Sequence, residues 1–222
     1  MRAQLAMTLP QRRRLHQYIV QTKIANQSVV LEKIGKDKTA ERLLKISEHI
    51  QPGDAGNNEG KAANFYFKEL FDPKFTRKQE RFHNAALNYG YAVVRATIAR
   101  SLVSYGFLLA FGLFHHNEQN AFNLADDLIE PYRPFVDLHV IQSLPIETER
   151  DLQPADKGTL VSILHTDVHL TGNSKGKRTL LAAIDATVQS LSRITVQKKA
   201  GEILTLPTFS STKPKKSATK KR

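Results

Sequence analysis

The sequence predicts a mainly α-helical fold, bundle-like in its packing. Three observations carry that reading. Apolar residues recur at helical spacing in several long segments, strand-like alternation is scarce, and the breakers fall between the periodic segments instead of inside them.

Arg12 to Ile34 reads as the first helix. Leu15, Ile19, Ile24, Val30 or Leu31, and Ile34 recur at steps of three to five, and Gly35 is placed to stop it. A second helix runs through Leu43, Leu44, Ile46 and Ile50 to the breaker Gln51-Pro52-Gly53-Asp54. Asn57-Asn58-Glu59 opens a third, with an Asn as its cap and Glu59 in the first turn. It continues through Phe67 and breaks near Asp72-Pro73.

A fourth helix is expected from Phe82 to Ser104, ended by Tyr105-Gly106. Ala121 to Ile129 reads as helix, and Pro131 and Pro134 bend or restart the chain beyond it. Leu144 to Asp156 is polar with two prolines and reads as a surface excursion. Val161–Leu164 and Val168–Leu170 suit short strands and helix equally well. A final helix spans about Arg178 to Val196, with Leu180, Ile184, Val188, Leu191 and Ile194 on one face. The expected organisation is an N-terminal extension over 1–11, an α-helical domain over 12–207 and a basic disordered tail over 208–222.

Composition narrows the function. The 222 residues have 41% apolar content and carry a net charge of +12, about half of it in KPKKSATKKR at Lys213 to Arg222. A basic excess favours polyanionic partners, because phosphate neutralisation releases condensed counterions. The absence of cysteine excludes disulfides, thiolate metal sites and a cysteine nucleophile, and fits a reducing compartment. The N-terminus lacks the apolar core of a secretory signal. The most apolar stretch, Leu87 to Phe114, is interrupted by Arg95 and Arg100. Only 14 residues remain between Arg100 and His115, short of the roughly 20 that a membrane helix needs. A cytoplasmic protein without membrane contact is expected.

No Walker phosphate loop, dinucleotide-binding glycine pattern or nucleophile elbow is present. Hard-metal ligand types are instead concentrated in HHNEQNAFNLADDLIEP, from His115 to Pro131. Asp127 and Glu130 are one helical turn apart and share a face, whereas Asp126 points about 100° away from Asp127. Carboxylates with an imidazole suit Mg2+ or Mn2+, but taken alone the same residues read more simply as a solvated acidic face beside helix-end histidines. Glu59 is followed by the small residues Gly60, Ala62 and Ala63, which would admit a close neighbour. Asn84 and Asn88 form a polar stripe that either ties its helix to a loop or lines a site. Arg133, between two prolines, is placed to grip a phosphate, to orient a carboxylate, or simply to face solvent. His165 and His169 have metal-pair spacing but lack an evident third ligand.

EGKAANFYF (Glu59–Phe67), NAALNYGYAVV (Asn84–Val94) and FGLFHHNEQNAFNLADDLIEPYRPFVD (Phe111–Asp137), in that order, resemble the CRISPR-associated spacer-integrase family. The last of them resembles the form found with Cas9-type systems. KIANQ (Lys23–Gln27) fits an early helix of the same family, and the resemblance runs from about Arg12 to Leu206. It implies the family's helical C-terminal domain and a metal-dependent DNA nuclease and transesterase, in which a free 3′-hydroxyl of a short duplex attacks a phosphodiester at the CRISPR repeat.

Carried over by position, the implied metal ligands are Glu59, His115 and Glu130, with Mg2+ or Mn2+ as cofactor. His115 is preferred over His116 by its spacing from Phe122. Tyr89 and Arg133 are the implied DNA contacts, and Asp127 a support or alternative ligand. The implied partners are double-stranded DNA, a small Cas2-like protein and a second copy of the chain. Family members begin with a β-rich domain, and no alternating strand pattern precedes Arg12. That departure suggests a chain lacking this domain, and with it an alternative reading as a DNA-binding or assembly module without chemistry.

Overall fold

A computed structural model describes residues 2–77, 81–145, 150–172, 176–197 and 202–209. It is mainly helical. The helices are α1 (Arg2–Leu5), α2 (Leu9–Lys33), α3 (Asp37–Glu48), α4 (Asn58–Leu70), α5 (Phe82–Ser104), α6 (Asn123–Ile129), α7 (Arg133–Ser143), α8 (Pro154–Val161) and α9 (Leu180–Thr195). One 3-10 turn, Glu130–Tyr132, joins α6 to α7, and another, Ser162–His165, follows α8. A small antiparallel sheet of β1 (Asp167–Leu170), β2 (Gly176–Thr179) and β3 (Pro207–Thr208) is ordered β2-β1-β3.

The long helix α2 starts at Leu9, ahead of the Arg12 expected from periodicity. Thr8 and Gln11 form a capping box: the Gln11 side chain accepts from the Thr8 amide at 2.9 Å, and the Thr8 hydroxyl accepts from the Gln11 amide at 3.4 Å. The helix stops as predicted at Gly35, whose φ of +77° lets the Lys36 amide reach back to the Leu31 carbonyl at 2.9 Å.

The core divides around α2. One cluster gathers Leu87, Val94, Ile98 and Leu102 of α5 with Leu124, Leu128, Tyr132, Val136, Leu180, Ile184 and Val188. The other joins Val20, Ile24 and Leu31 of α2 to Leu43 of α3 and Tyr66 and Leu70 of α4. With apolar packing on two sides, α2 also buries Lys23, Asn26, Gln27 and Ser28. Buried polar groups need partners. Ser28 donates to the Ala40 carbonyl at 2.8 Å; Lys23 and Asn26 reach further, to the residues described below.

The helix expected over Phe82–Ser104 has those bounds, and the late helix is two residues shorter at its start than expected, with one more trimmed from its end. Two expected bounds change, and the choice left open at Val168–Leu170 falls to strand. The excursion expected over Leu144–Asp156 ends three residues early, because Pro154 is a helix-starting residue of α8 and not a loop signal; residues 146–149 of it lie outside the described residues. Val168–Leu170 is the central strand of a sheet whose other members carry no alternation, since every β2 residue is exposed and β3 is two residues long. The folded part also extends past Pro207: β3 includes Thr208, and Phe209 stacks on Phe135 with ring centroids 4.0 Å apart. The rest of the expected basic tail, 210–222, lies outside the described residues. No described helix is long and apolar enough to cross a membrane.

Candidate functional site

Glu59 is carried into position by the start of α4. The expected Asn cap is replaced by a longer-range one. Asn57 adopts left-handed backbone with φ +48°, and its side chain makes no cap bond. The Asp54 carboxylate accepts from the Asn58 amide at 3.0 Å and the Glu59 amide at 2.9 Å. Gly60 is small for a different reason from the one its sequence suggested: a Cβ there would meet the Asn57 side-chain oxygen at 2.6 Å.

Glu130 opens the 3-10 turn that Pro131 starts. Asn26 of α2 fastens that turn, its amide donating to the Pro131 carbonyl and to the Pro207 carbonyl, both at 2.9 Å. One turn earlier on α2, the Lys23 ammonium lies 2.5 Å from Glu59 Oε1 and 2.5 Å from Glu130 Oε2. Arg133 takes the other oxygen of Glu130, its Nε donating to Oε1 at 2.8 Å. The carboxylate is therefore held by two cations. Burial alone would push its pKa up, but Lys23 and Arg133 outweigh burial and hold it down, at about 2. Burial would push the ammonium of Lys23 down, yet Glu130 and Glu59 raise it.

His115 is set by a loop wound around Asp127. The buried Asp127 carboxylate accepts from three successive amides, those of Leu113, Phe114 (3.0 Å) and His115 (3.2 Å), and from His115 Nδ1 at 2.7 Å. Gly112 permits the winding, since a Cβ there would meet the His115 carbonyl at 2.3 Å and the Asp127 carboxylate at 2.7 Å. The hydrogen bond to Asp127 raises the His115 pKa above its ordinary value, and it engages Nδ1, so that Nε2 is the ring nitrogen turned away from Asp127. Asp126 points elsewhere, as its spacing predicted, to Asn120 at 2.7 Å and Arg95 at 3.4 Å. Beside this loop His16 stacks on Phe114, ring centroids 3.8 Å apart, and burial lowers its pKa.

The structure thus brings Glu59 and Glu130 together, on Lys23, while His115 stays on Asp127. Among the described residues, no group of three or more His, Cys, Asp or Glu side chains stands close enough to hold a metal ion. The donor set nevertheless fits a divalent cation. Two carboxylates from different elements converge on one positive charge, and Glu130 Oε2 faces it without an aligned hydrogen bond.

Arg133 orients the Glu130 carboxylate, and its guanidinium lies 4.5 Å from the Tyr91 ring. Tyr91 and Tyr66 both donate to the buried Asp137, the latter at 2.9 Å. Burial pushes the Asp137 carboxyl up to about 6, against those hydrogen bonds and the charges of Arg77 and Arg133. Tyr89 turns toward α8, where Lys157 Nζ lies 5.9 Å from its ring. Asn84 and Asn88 tie α5 to a loop: Arg77 donates to both, at 2.6 and 2.5 Å, and Asn84 donates to the Thr76 carbonyl. His165 sits in a 3-10 turn and His169 in β1, so their spacing does not put them on one helical face.

Residues 1–162 match the family described as CRISPR associated protein Cas1. A CRISPR-associated endonuclease Cas1 of Neisseria meningitidis is 42% identical over 204 residues, covering 91% of this chain and 66% of that protein. Two solved structures share the fold. A partial Cas6-RT-Cas1–Cas2 complex has a TM-score of 0.71 at 19% identity, over 91% of this chain and 71% of that one. A casposase bound to integration product has a TM-score of 0.67 at 20% identity, over 89% and 67%. The chain accordingly spans just under two thirds of the length of its Neisseria relative.

Proposed function

Because the chain belongs to the CRISPR-associated Cas1 family, we propose that its site performs DNA strand transfer in CRISPR adaptation, with Glu59, His115 and Glu130 holding Mg2+ or Mn2+. The observation that carries this reading is the convergence of Glu59 and Glu130 on a single cation position, 2.5 Å from each. In the reaction, the 3′-oxygen of a short duplex bonds to a phosphorus of the target, the target's own 3′-oxygen leaves, and the proton lost by the first hydroxyl balances the one gained by the second. When bound, the divalent ion would polarise the phosphate and stabilise both oxygens.

The remaining roles belong to the chain itself. Arg133 keeps Glu130 ionised and aimed, and adds positive charge beside the phosphate. Asp127 fixes the tautomer and tilt of His115. Tyr89 and Arg133 are our assigned contacts to the DNA backbone, and the six basic residues of Lys213–Arg222 add affinity without sequence preference. Double-stranded DNA, a Cas2-like protein and a second copy of the chain are the proposed partners. Solved structures of this fold include a partial Cas6-RT-Cas1–Cas2 complex and a casposase bound to integration product.

A second reading, a DNA-binding or assembly module without chemistry, draws on the separation of His115 from the two glutamates. One comparison separates them: strand transfer or cleavage with Mn2+ by wild type and Glu130→Ala. Activity in the wild type, lost by at least about a hundredfold in the variant, supports the proposal. Equal rates refute the assigned ligands. Metal-independent, salt-sensitive DNA binding without activity in either protein leaves the second reading.

A further inference from the structure

A lysine on the second helix stands where the metal charge is wanted. Lys23 is buried, and lysines are almost never buried without partners. Its ammonium contacts one oxygen from each of two glutamates that lie 36 and 107 positions away along the chain. Those carboxylates come from α4 and from the 3-10 turn before α7, and no backbone connection short of the whole fold joins them. Brought this close, two carboxylates repel unless a cation stands between them. Arg133 does not serve that purpose for the pair, because its Nε is directed to the other oxygen of Glu130.

We propose that Lys23 is the resident counter-ion of this site: it holds Glu59 and Glu130 together while no metal is bound, and a divalent ion enters by taking its place. The inference rests on the metal-binding reading of these glutamates. It makes Lys23 a positioning residue that sets metal affinity by competition. An ammonium already satisfying both carboxylates lowers the gain from metal entry, and removing it leaves the two carboxylates facing each other with only Arg133, on the outer oxygen of Glu130, to offset them.

The test measures Mn2+ affinity by electron paramagnetic resonance of the free ion, together with the melting temperature in EDTA and in Mn2+. It compares wild type, Lys23→Met and Lys23→Arg. Lys23→Met is expected to bind Mn2+ at least about tenfold more tightly, to melt lower than wild type in EDTA, and to gain more from added Mn2+. Lys23→Arg, which keeps the charge, should bind within about threefold of wild type. If Lys23→Met is unfolded in EDTA, refolding on Mn2+ addition supports the inference, and failure to refold overturns it. Wild type that binds Mn2+ with Lys23→Met no tighter defeats this inference alone. Absence of Mn2+ binding by both folded proteins defeats the metal-site reading together with it.

Discussion

Replacing Asp127 by Asn tests whether one buried carboxylate builds the loop that presents His115. Asp127 accepts four hydrogen bonds, two on each oxygen: the His115 amide and imidazole on Oδ1, the Leu113 and Phe114 amides on Oδ2. Asn exchanges one of those acceptors for an NH2. If the amide nitrogen faces Leu113 and Phe114, two backbone donors lose their acceptor. If it faces His115, that residue's amide is orphaned and the imidazole must accept at Nδ1, moving its proton to Nε2. Each unsatisfied buried donor costs about 1–3 kcal/mol, so a loss near 3 kcal/mol is expected.

For a domain of this size that loss lowers the melting temperature by about 6–12 °C. Scanning calorimetry reads it directly. A second readout is the His115 titration by NMR without metal. Its folded pKa is raised chiefly by the Asp127 bond, so the stability this group contributes is complete below its ordinary value of 6.5 and is lost as pH rises through the raised one. In Asp127→Asn the titration should fall back toward the ordinary value. A melting temperature within about 2 °C of wild type, with the His115 titration unmoved, would refute the loop's dependence on this carboxylate.

Two further perturbations probe the supports of the site. The Asp137 carboxyl is raised from 3.8 to about 6, so its contribution is complete below pH 3.8 and is lost as pH rises through 6, about 3 kcal/mol in all. Asp137→Asn, which cannot titrate, should therefore gain on wild type between pH 4 and 7 in urea melts; a difference constant across that range would show that burial does not set this carboxyl. Asn26→Ala strips partners from the carbonyls of Pro131 and Pro207 and is expected to lower stability by about 2–4 kcal/mol while loosening the turn that carries Glu130. Unchanged unfolding midpoints would show that the two carbonyls find water instead.

The helices were legible because their signals are local. Gly35 and Gly106 end α2 and α5 where their sequence positions predicted, and the buried face of α9 follows its apolar spacing. Of the sheet only the central strand was legible, as one of two readings of Val168–Leu170; GKRT has no apolar alternation and forms a strand by pairing with Asp167–Leu170. At the site, the acids and the histidine could be picked out by motif, and the helical spacing correctly separated Asp126 from Asp127. Lys23 and Asn26 could not be assigned roles from KIANQ, since their partners lie far along the chain. A signal was nonetheless present: Lys23 falls four residues after Ile19, on the face that the helix buries. Asp54 was missed as a cap for a related reason, reaching α4 across a turn with left-handed residues that no helix-start pattern describes.

The double bond of Asn26 has a consequence for the order in which the protein is made. Its two acceptors are separated by 76 positions, and the farther one, at Pro207, lies 181 positions beyond Asn26 itself. A nascent chain emerging from the ribosome exposes α2 first and the Glu130 turn later, with β3 still to be synthesised. Until that strand docks beside β1, half of the Asn26 amide has no protein acceptor, and the turn is clasped on one side only. Long-range closures of this kind form slowly because the intervening loop must be ordered first. The turn that carries Glu130 is thus fastened to α2 through Pro131 alone until the strand at Pro207 has docked, and Asn26 joins the two.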